Sequence, residues 1–164
     1  MSEVADDKLT HLDAAGRPRM VDVGGKAVTR RTAHARMRVG FPPEAARALA
    51  AKDFATSKGP VFHTAIVAGV LAAKRTHELI PFCHPLGLED CAIEIAMDGD
   101  DAVIDCRVSL HGRTGVEMEA LTGATVAGLT IYDMCKSLSK GLVLREARLL
   151  EKTGGKSGDW RATG

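Results

Sequence analysis

Residues 91–108 read CAIEIAMDGDDAVIDCRV, and the alternation in this stretch sets the fold class. Cys91, Ile93, Ile95 and Met97 alternate with Ala92, Glu94 and Ala96. Asp98-Gly99-Asp100-Asp101 is turn chemistry, after which Ala102, Ile104, Cys106 and Val108 resume the period of two. That is a β-hairpin with one apolar face. Upstream, Ala33, Ala35, Met37 and Val39 alternate with Thr32, His34, Arg36 and Arg38, a third half-buried strand. Pro42-Pro43 opens an alanine-rich helix to about Lys52, and Gly59-Pro60 opens a second from Val61 to about His77. Pro81 and Pro85 hold Phe82-Cys83-His84 in an extended loop. A long helix is expected from about Val116 to Lys140, stopped by Gly141, and a last strand from Leu142 to Leu150. The order strand, helices, strand, strand, helix, strand predicts an α+β domain. Its pattern is a split βαβ, an antiparallel sheet with helices packed on one face.

The chain has 164 residues, enough for one domain and too few for two with separate cores. We read 1–9 as a flexible N-terminus, 10–159 as the domain and 160–164 as a C-terminal tail. Hydrophobic residues make up 45% and charged residues 26%, the balance of a soluble globular protein. Lysine plus arginine (22) exceeds aspartate plus glutamate (21) by one, so no global basic field points to nucleic acid. Aromatics, at 4%, are too few for a base-stacking platform. The polar, acidic start is unlike a secretory signal, and no charge-free run is long enough for a membrane span, so the expected location is cytoplasmic. Cys83, Cys91, Cys106 and Cys135 contain no Cys-x-x-Cys, so reduced, mostly core cysteines are expected and no zinc site.

The expected third helix is long for its domain. At 25 residues it would span roughly 38 Å, against a radius of gyration of about 15 Å for the whole chain. Its apolar residues Leu121, Val126, Leu129, Ile131, Tyr132, Met134, Cys135 and Leu138 go most of the way round. One side can lie on the sheet, and a second subunit is the simplest cover for the other.

After Glu119 this helix carries no charge until Asp133 and Lys136, three apart and on one face. The pair is a structural ion pair, or part of a solvated stripe with Thr130, Ser137 and Lys140, or else an acid–base couple whose proton affinities shift together. Lys58 precedes the second helix, where it is either an exposed loop lysine or joins the positive helix end in holding a phosphate. Cys83-His84 can present a ring nitrogen to a ligand, or be structural. Glu117 and Glu119 bracket Met118 at the start of the long helix, where acids are also favoured by the dipole. Arg31 can fork onto a phosphate. The segment TGGKSG at 153–158 lacks the spacing of a P-loop; it is a glycine-lysine loop able to close over phosphates, or a mobile tail. His11, Asp13, Asp22 and Lys26 complete the polar segments.

The peptides themselves carry more. Thr10-His11-Leu12-Asp13, Met20-Val21-Asp22-Val23, Ala72-Ala73-Lys74-Arg75-Thr76, and the run from Leu79 through Phe82-Cys83-His84 to Leu86 resemble the cyclic pyranopterin monophosphate synthase (MoaC) family. So do the segments Thr114–Leu121, Leu129–Lys136 and Lys152–Gly158, all in the right order. Departures are Pro60, where an acidic residue can follow Lys-Gly, and Gly123 and Gly128, where alanine is common. The two glycines are expected to loosen the helix slightly.

The resemblance implies a ferredoxin-like subunit in a homohexamer, a trimer of dimers with active sites at the dimer interface. It implies a phosphorus–oxygen lyase of molybdenum cofactor biosynthesis. The substrate would be (8S)-3′,8-cyclo-7,8-dihydroguanosine 5′-triphosphate, the products cyclic pyranopterin monophosphate and diphosphate. Asp133 would take the acid–base role with Lys136 as partner and Lys58 as a second catalytic lysine. Phe82, Cys83, His84, Met118 and Glu119 would bind substrate, with Glu117, Arg31 and Lys156 beside them. No redox cofactor is implied; magnesium would accompany the triphosphate. Which subunit supplies each residue is left open. Two rivals stand beside this reading: a ligand-binding regulatory module, and a metal-dependent phosphohydrolase using His77, Glu78 and His84.

Overall fold

The computed structural model describes Asp13 and residues 15–163. The expected flexible segment 1–9, and His11, lie outside the described residues. Among the described residues, seven strands and four helices follow in the order β1 (Thr29–Gly40), α1 (Pro43–Ala50), β2 (Ala55–Thr56), β3 (Gly59–Pro60), α2 (Val61–Lys74), α3 (Thr76–Leu79), β4 (Asp90–Asp98), β5 (Asp101–Gly112), α4 (Glu117–Cys135), β6 (Val143–Thr153) and β7 (Trp160–Arg161).

The hairpin read from 91–108 is β4–β5, with Asp98 opposite Asp101 and Cys91 opposite Val108. Gly99, at φ 60°, takes the left-handed first position of its two-residue loop, as a type II′ turn requires. The main sheet is antiparallel in the order β4-β5-β1-β6-β7. The β1–α2–β4 crossover spans β5, and the β5–α4–β6 crossover spans β1. These two interlocked split βαβ units make the ferredoxin-like arrangement.

The alternation decides which face is covered. Ala33, Ala35, Met37 and Val39 of β1, with Ala102, Ile104, Cys106 and Val108 of β5, are buried beneath the helices. The opposite face carries charge, where Asp105 accepts hydrogen bonds from Arg36 at 2.9 and 3.0 Å and pairs with His34 at 2.6 Å. Arg38 likewise bridges Asp98 and Asp101. Satisfied ion pairs of this kind keep an open sheet face wet rather than sticky.

Three expectations need correction. The long helix ends at Cys135, five residues short of Lys140, so it spans roughly 28 Å. Leu138 N–H bonds the Cys135 carbonyl (2.8 Å), and Ser139 Oγ accepts from Gly141 N–H (3.0 Å). Past the helix end the Ser139 hydroxyl takes up a backbone N–H that a continuing helix would have bonded itself. Gly141 is needed instead for close approach, since a β-carbon there would lie 2.9 Å from Pro42. The second helix also breaks earlier, at Arg75 (φ −112°), and restarts as the short α3. Lastly, the domain does not end at 159. Trp160 and Arg161 pair with Lys152 and Glu151, and Ala162 N–H bonds the Leu150 carbonyl at 2.8 Å.

The glycines expected to loosen the long helix instead set its packing. A β-carbon on Gly123 would lie 2.8 Å from Cys106 Sγ, and one on Gly128 2.8 Å from Met37 Cγ. On the facing helix, a β-carbon on Gly69 would lie 2.7 Å from the Gly123 carbonyl oxygen. Backbone cannot yield as a side-chain end can. Gly69→Ala is therefore expected to destabilise the fold by about 1–3 kcal/mol through overpacking, despite alanine's better helix propensity. Thermal unfolding checks the sign; a raised melting temperature would mean that α2 and α4 separate freely.

Candidate functional site

Beneath the start of α4 lies a cavity of about 700 Å³. One wall is the loop after α3, which places Phe82, Cys83 and His84 there because flanking prolines keep it out of helix. A second is the turn into α4 with its first residues: Arg113, Thr114, Gly115, Glu117, Met118 and Glu119. Arg31, on β1, and Lys152, Gly154, Lys156 and Ser157 close another side, and Val21, Val23 and Lys26 cross the front.

Several of these side chains have identifiable partners. His84 Nε2 lies 2.8 Å from the Val21 carbonyl oxygen, which can only accept. Nε2 therefore carries hydrogen, and Nδ1 is left as the acceptor of the neutral ring. Arg31 is 8% exposed, and its Nε donates to the Gly112 carbonyl at 3.3 Å. Gly155 (φ 87°) lies so close to that guanidinium that a β-carbon would overlap it. Lys152 Nζ donates to Ser157 Oγ and the Gly158 carbonyl, both at 2.6 Å, and Gly154 N–H donates to Asp159 at 3.0 Å. The glycine-lysine segment is thus a folded loop pinned onto Arg31, not a loose tail.

Five cations, Lys26, Arg31, Arg113, Lys152 and Lys156, face two carboxylates, Glu117 and Glu119. A polyanion fits such a lining. Glu119 is buried; burial, with the Glu117 charge behind it, pushes its carboxyl up to about 7. It therefore exchanges a proton near neutrality, the property asked of a general acid or base. Burial, with the Glu119 charge behind it, also raises the Cys83 thiol, so this cysteine lines the cavity as a thiol and not as a thiolate nucleophile.

The remaining candidates form a second cluster. Asp133 Oδ2 accepts from Lys58 Nζ at 2.7 Å, and Asp133 Oδ1 pairs with Lys136 Nζ at 2.7 Å. Lys58 also donates to the Asp133 carbonyl oxygen at 3.1 Å. The expected covered helix does not bury this trio within the chain: the side chains of Lys58, Asp133 and Lys136 are 48%, 55% and 54% exposed. Hydrogen bonds from Lys136 and then Lys58 hold the Asp133 carboxyl down to about 2, so it stays ionised at neutral pH. The same pairing raises Lys136.

Glu119 and Asp133 sit fourteen residues apart on α4, a rise of roughly 21 Å. In one chain, then, the cavity and the Lys58–Asp133–Lys136 cluster are separate sites.

The sequence model of the MoaC family matches residues 20–155. A cyclic pyranopterin monophosphate synthase of Xanthomonas oryzae pv. oryzae is 55% identical over 150 residues, covering 91% of each chain. The chain belongs to the MoaC family. A second relative of that name, from Xanthomonas axonopodis pv. citri, is 54% identical with the same coverage. Molybdenum cofactor biosynthesis protein 1 of Dictyostelium discoideum is 46% identical over 93% of this chain, which spans 27% of that longer protein.

In this MoaC family chain the fold brings Arg31, Phe82, Cys83, His84, Glu117, Met118, Glu119 and Lys156 to one cavity, and Lys58, Asp133 and Lys136 to another place. Arg113 was missed by reading the sequence, although it directly precedes the Thr114–Leu121 segment. Lys152 was passed over as part of a tail. Among the described residues no three His, Cys, Asp or Glu side chains gather as a metal cage needs, so His77, Glu78 and His84 form no such trio. No helix there is long and apolar enough to cross a membrane.

The Glu119 shift has a measurable consequence. Between its ordinary value of 4.5 and about 7, the folded chain holds a proton that the unfolded chain releases. Stability therefore falls as pH rises through that window, by an amount on the order of 1–3 kcal/mol. Melting curves at pH 5 and pH 8 are expected to differ by several degrees more in the wild type than in Glu119→Gln. Equal slopes would mean that Glu119 titrates as an ordinary surface carboxylate.

Proposed function

We propose that this chain is a cyclic pyranopterin monophosphate synthase, a phosphorus–oxygen lyase of molybdenum cofactor biosynthesis. It converts (8S)-3′,8-cyclo-7,8-dihydroguanosine 5′-triphosphate to cyclic pyranopterin monophosphate and diphosphate. The observation that carries this reading is the end-to-end match: relatives of that name cover nine-tenths of this chain and of themselves at 54–55% identity. The chemistry of the two clusters supports it. Five cations suit a triphosphate, and Glu119 and His84 Nδ1 suit hydrogen bonding to a guanine-derived ring.

Closing the cyclic phosphate requires a sugar hydroxyl to attack the α-phosphorus. A new P–O bond forms, the bond to the diphosphate oxygen breaks, and the hydroxyl proton must be taken up. Opening and rebuilding the ring system moves protons at several further atoms. In this scheme Asp133, ionised between two lysines, takes the acid–base role and accepts the hydroxyl proton with Lys136 as its partner, while the Lys58 and Lys136 ammonium groups neutralise charge on the phosphate oxygens. Arg31 and Lys156 bind the phosphates, and Phe82, Cys83, His84, Met118 and Glu117 form the base-side wall. No redox cofactor enters this scheme, and magnesium arrives with the triphosphate.

One subunit holds the two clusters too far apart for a single substrate, so we place the active site between subunits. The cavity of one copy is completed by the Lys58–Asp133–Lys136 cluster of another, in a homohexamer built as a trimer of dimers. Exposed apolar residues on the helix layer, Val67, Leu71 and Leu129, favour such assembly. The enzyme is placed in the cytoplasm, with the nucleotide and its own copies as partners and neither nucleic acid nor membrane. The test is incubation of the purified protein with the cyclised nucleotide. Diphosphate and the cyclic monophosphate are expected in equal amounts; neither product from the folded protein would overturn the assignment.

A further inference from the structure

Lys58 stands at the tip of a hairpin that has almost no structure of its own. β2 and β3 pair only through Ala55 with Pro60 and Thr56 with Gly59, and they form a sheet apart from the main one. A two-stranded ribbon this short is not stable by itself. Lys58 is also a half-exposed, rotamer-rich side chain, yet it meets both the carboxylate and the carbonyl of Asp133. Something at the base of the hairpin must hold it.

The base is unusual. Asp53 and Phe54 both have left-handed backbone, at φ 49° and 54°, with no glycine at either position. Aspartate visits that region readily, whereas a bulky aromatic does so only where its surroundings over-determine it. Phe54 is over-determined three times. Its N–H donates to the Leu49 carbonyl at the end of α1 (3.0 Å), and its carbonyl accepts from Val61 N–H at the start of α2 (2.9 Å). Its ring stacks on Phe62, centroids 4.8 Å apart at 25°. The hairpin spans only the stretch between α1 and α2, and among the described residues its polar contacts with α4 are the two hydrogen bonds from Lys58 to Asp133.

We propose that Phe54 is a positioning residue: stacked on Phe62, it locks the strained turn and so aims Lys58 at Asp133. The catalytic weight of Lys58 rests on the function proposed above; the aiming does not, and it can be read separately. Phe54 touches no reacting atom, so its loss should leave nucleotide binding in the cavity untouched. The ring can be removed from either side, through Phe54→Leu or through Phe62→Leu, which leaves the strained residue in place.

The experiment uses the full chain and two readouts. Acetylation of lysines by acetic anhydride at neutral pH, followed residue by residue by mass spectrometry, reports whether Lys58 is still paired, with Lys74 as internal standard and Asp133→Asn as the released reference. Steady-state turnover of the cyclised nucleotide gives kcat and KM. Phe54→Leu and Phe62→Leu are each expected to raise the Lys58 labelling rate about fivefold, towards that of Asp133→Asn. Both should lower kcat about tenfold or more with KM within about twofold, and Phe54→Tyr should restore both readouts. If Phe54→Leu does not fold, Phe62→Leu decides. Wild-type labelling of Lys58 in the folded variants, with a raised rate in Asp133→Asn, overturns the proposal. Should Lys58→Ala keep full turnover while Phe54→Leu still frees Lys58, the positioning stands and the catalytic assignment of Lys58 fails.

Discussion

Lys136→Met is expected to lower product formation by about a hundred- to ten-thousandfold, the usual weight of a general acid or base, with a melting temperature within a few degrees of wild type. Sequence spacing leaves open a structural ion pair, part of a solvated stripe, and a working acid–base couple. The exposure of the pair within the chain weighs against a buried structural pair. Both side chains are more than half exposed in the chain, and exposed ion pairs contribute little to stability. Removing the ammonium also leaves Asp133 paired with Lys58 at 2.7 Å, so no charge is stranded. What is lost is a proton donor and a positive charge at one place. Turnover, melting temperature and nucleotide binding should be measured on one preparation. A folded, nucleotide-binding Lys136→Met protein with near-normal turnover would sink the catalytic assignment, whatever the family.

The second large effect is a pattern of rescue between inactive chains. Lys58 and Asp133 touch within one chain, so mixing Lys58→Ala with Asp133→Asn chains is expected to restore nothing: every cluster in the mixture lacks one member. Mixing Asp133→Asn with a cavity-dead chain carrying His84→Ala and Glu119→Gln should behave oppositely. Each mixed dimer would contain one intact cavity facing one intact cluster, and the mixture about a quarter of wild-type activity if subunits exchange at random. The roughly 21 Å along α4 between Glu119 and Asp133 is the reason. Rescue by the first mixture, or none by the second after verified exchange, would mean that the site is not shared as proposed.

Local pattern went furthest where side-chain period and backbone geometry coincide. The strands at 32–39, 91–97 and 102–108 were legible because burial alternates residue by residue on a sheet with one covered face. Helix ends were less so. Gly141 looked like a helix stop, yet the chain left the helix at Cys135, six residues earlier. Gly123 and Gly128 looked like weak points because propensity sees only the helix itself, whereas the contacts they permit lie on α2, β1 and β5.

Most of the candidate site residues came from segments that resemble the MoaC family, and Arg113 and Lys152, which also line the cavity, were not among the candidates. Sequence alone determined the order of the four main strands and three main helices, the covered face of the sheet and the pairing of Asp133 with Lys136, three residues apart on one helix turn. It could not say that Lys58, 75 residues before Asp133, closes on the same carboxylate, nor that 153–158 folds onto Arg31. Nor could it say that the candidate residues divide between two ends of α4. Those are long-range juxtapositions, fixed by the path of the chain across the sheet and by glycine-sized gaps between layers. Periodicity within a segment carries no information about either.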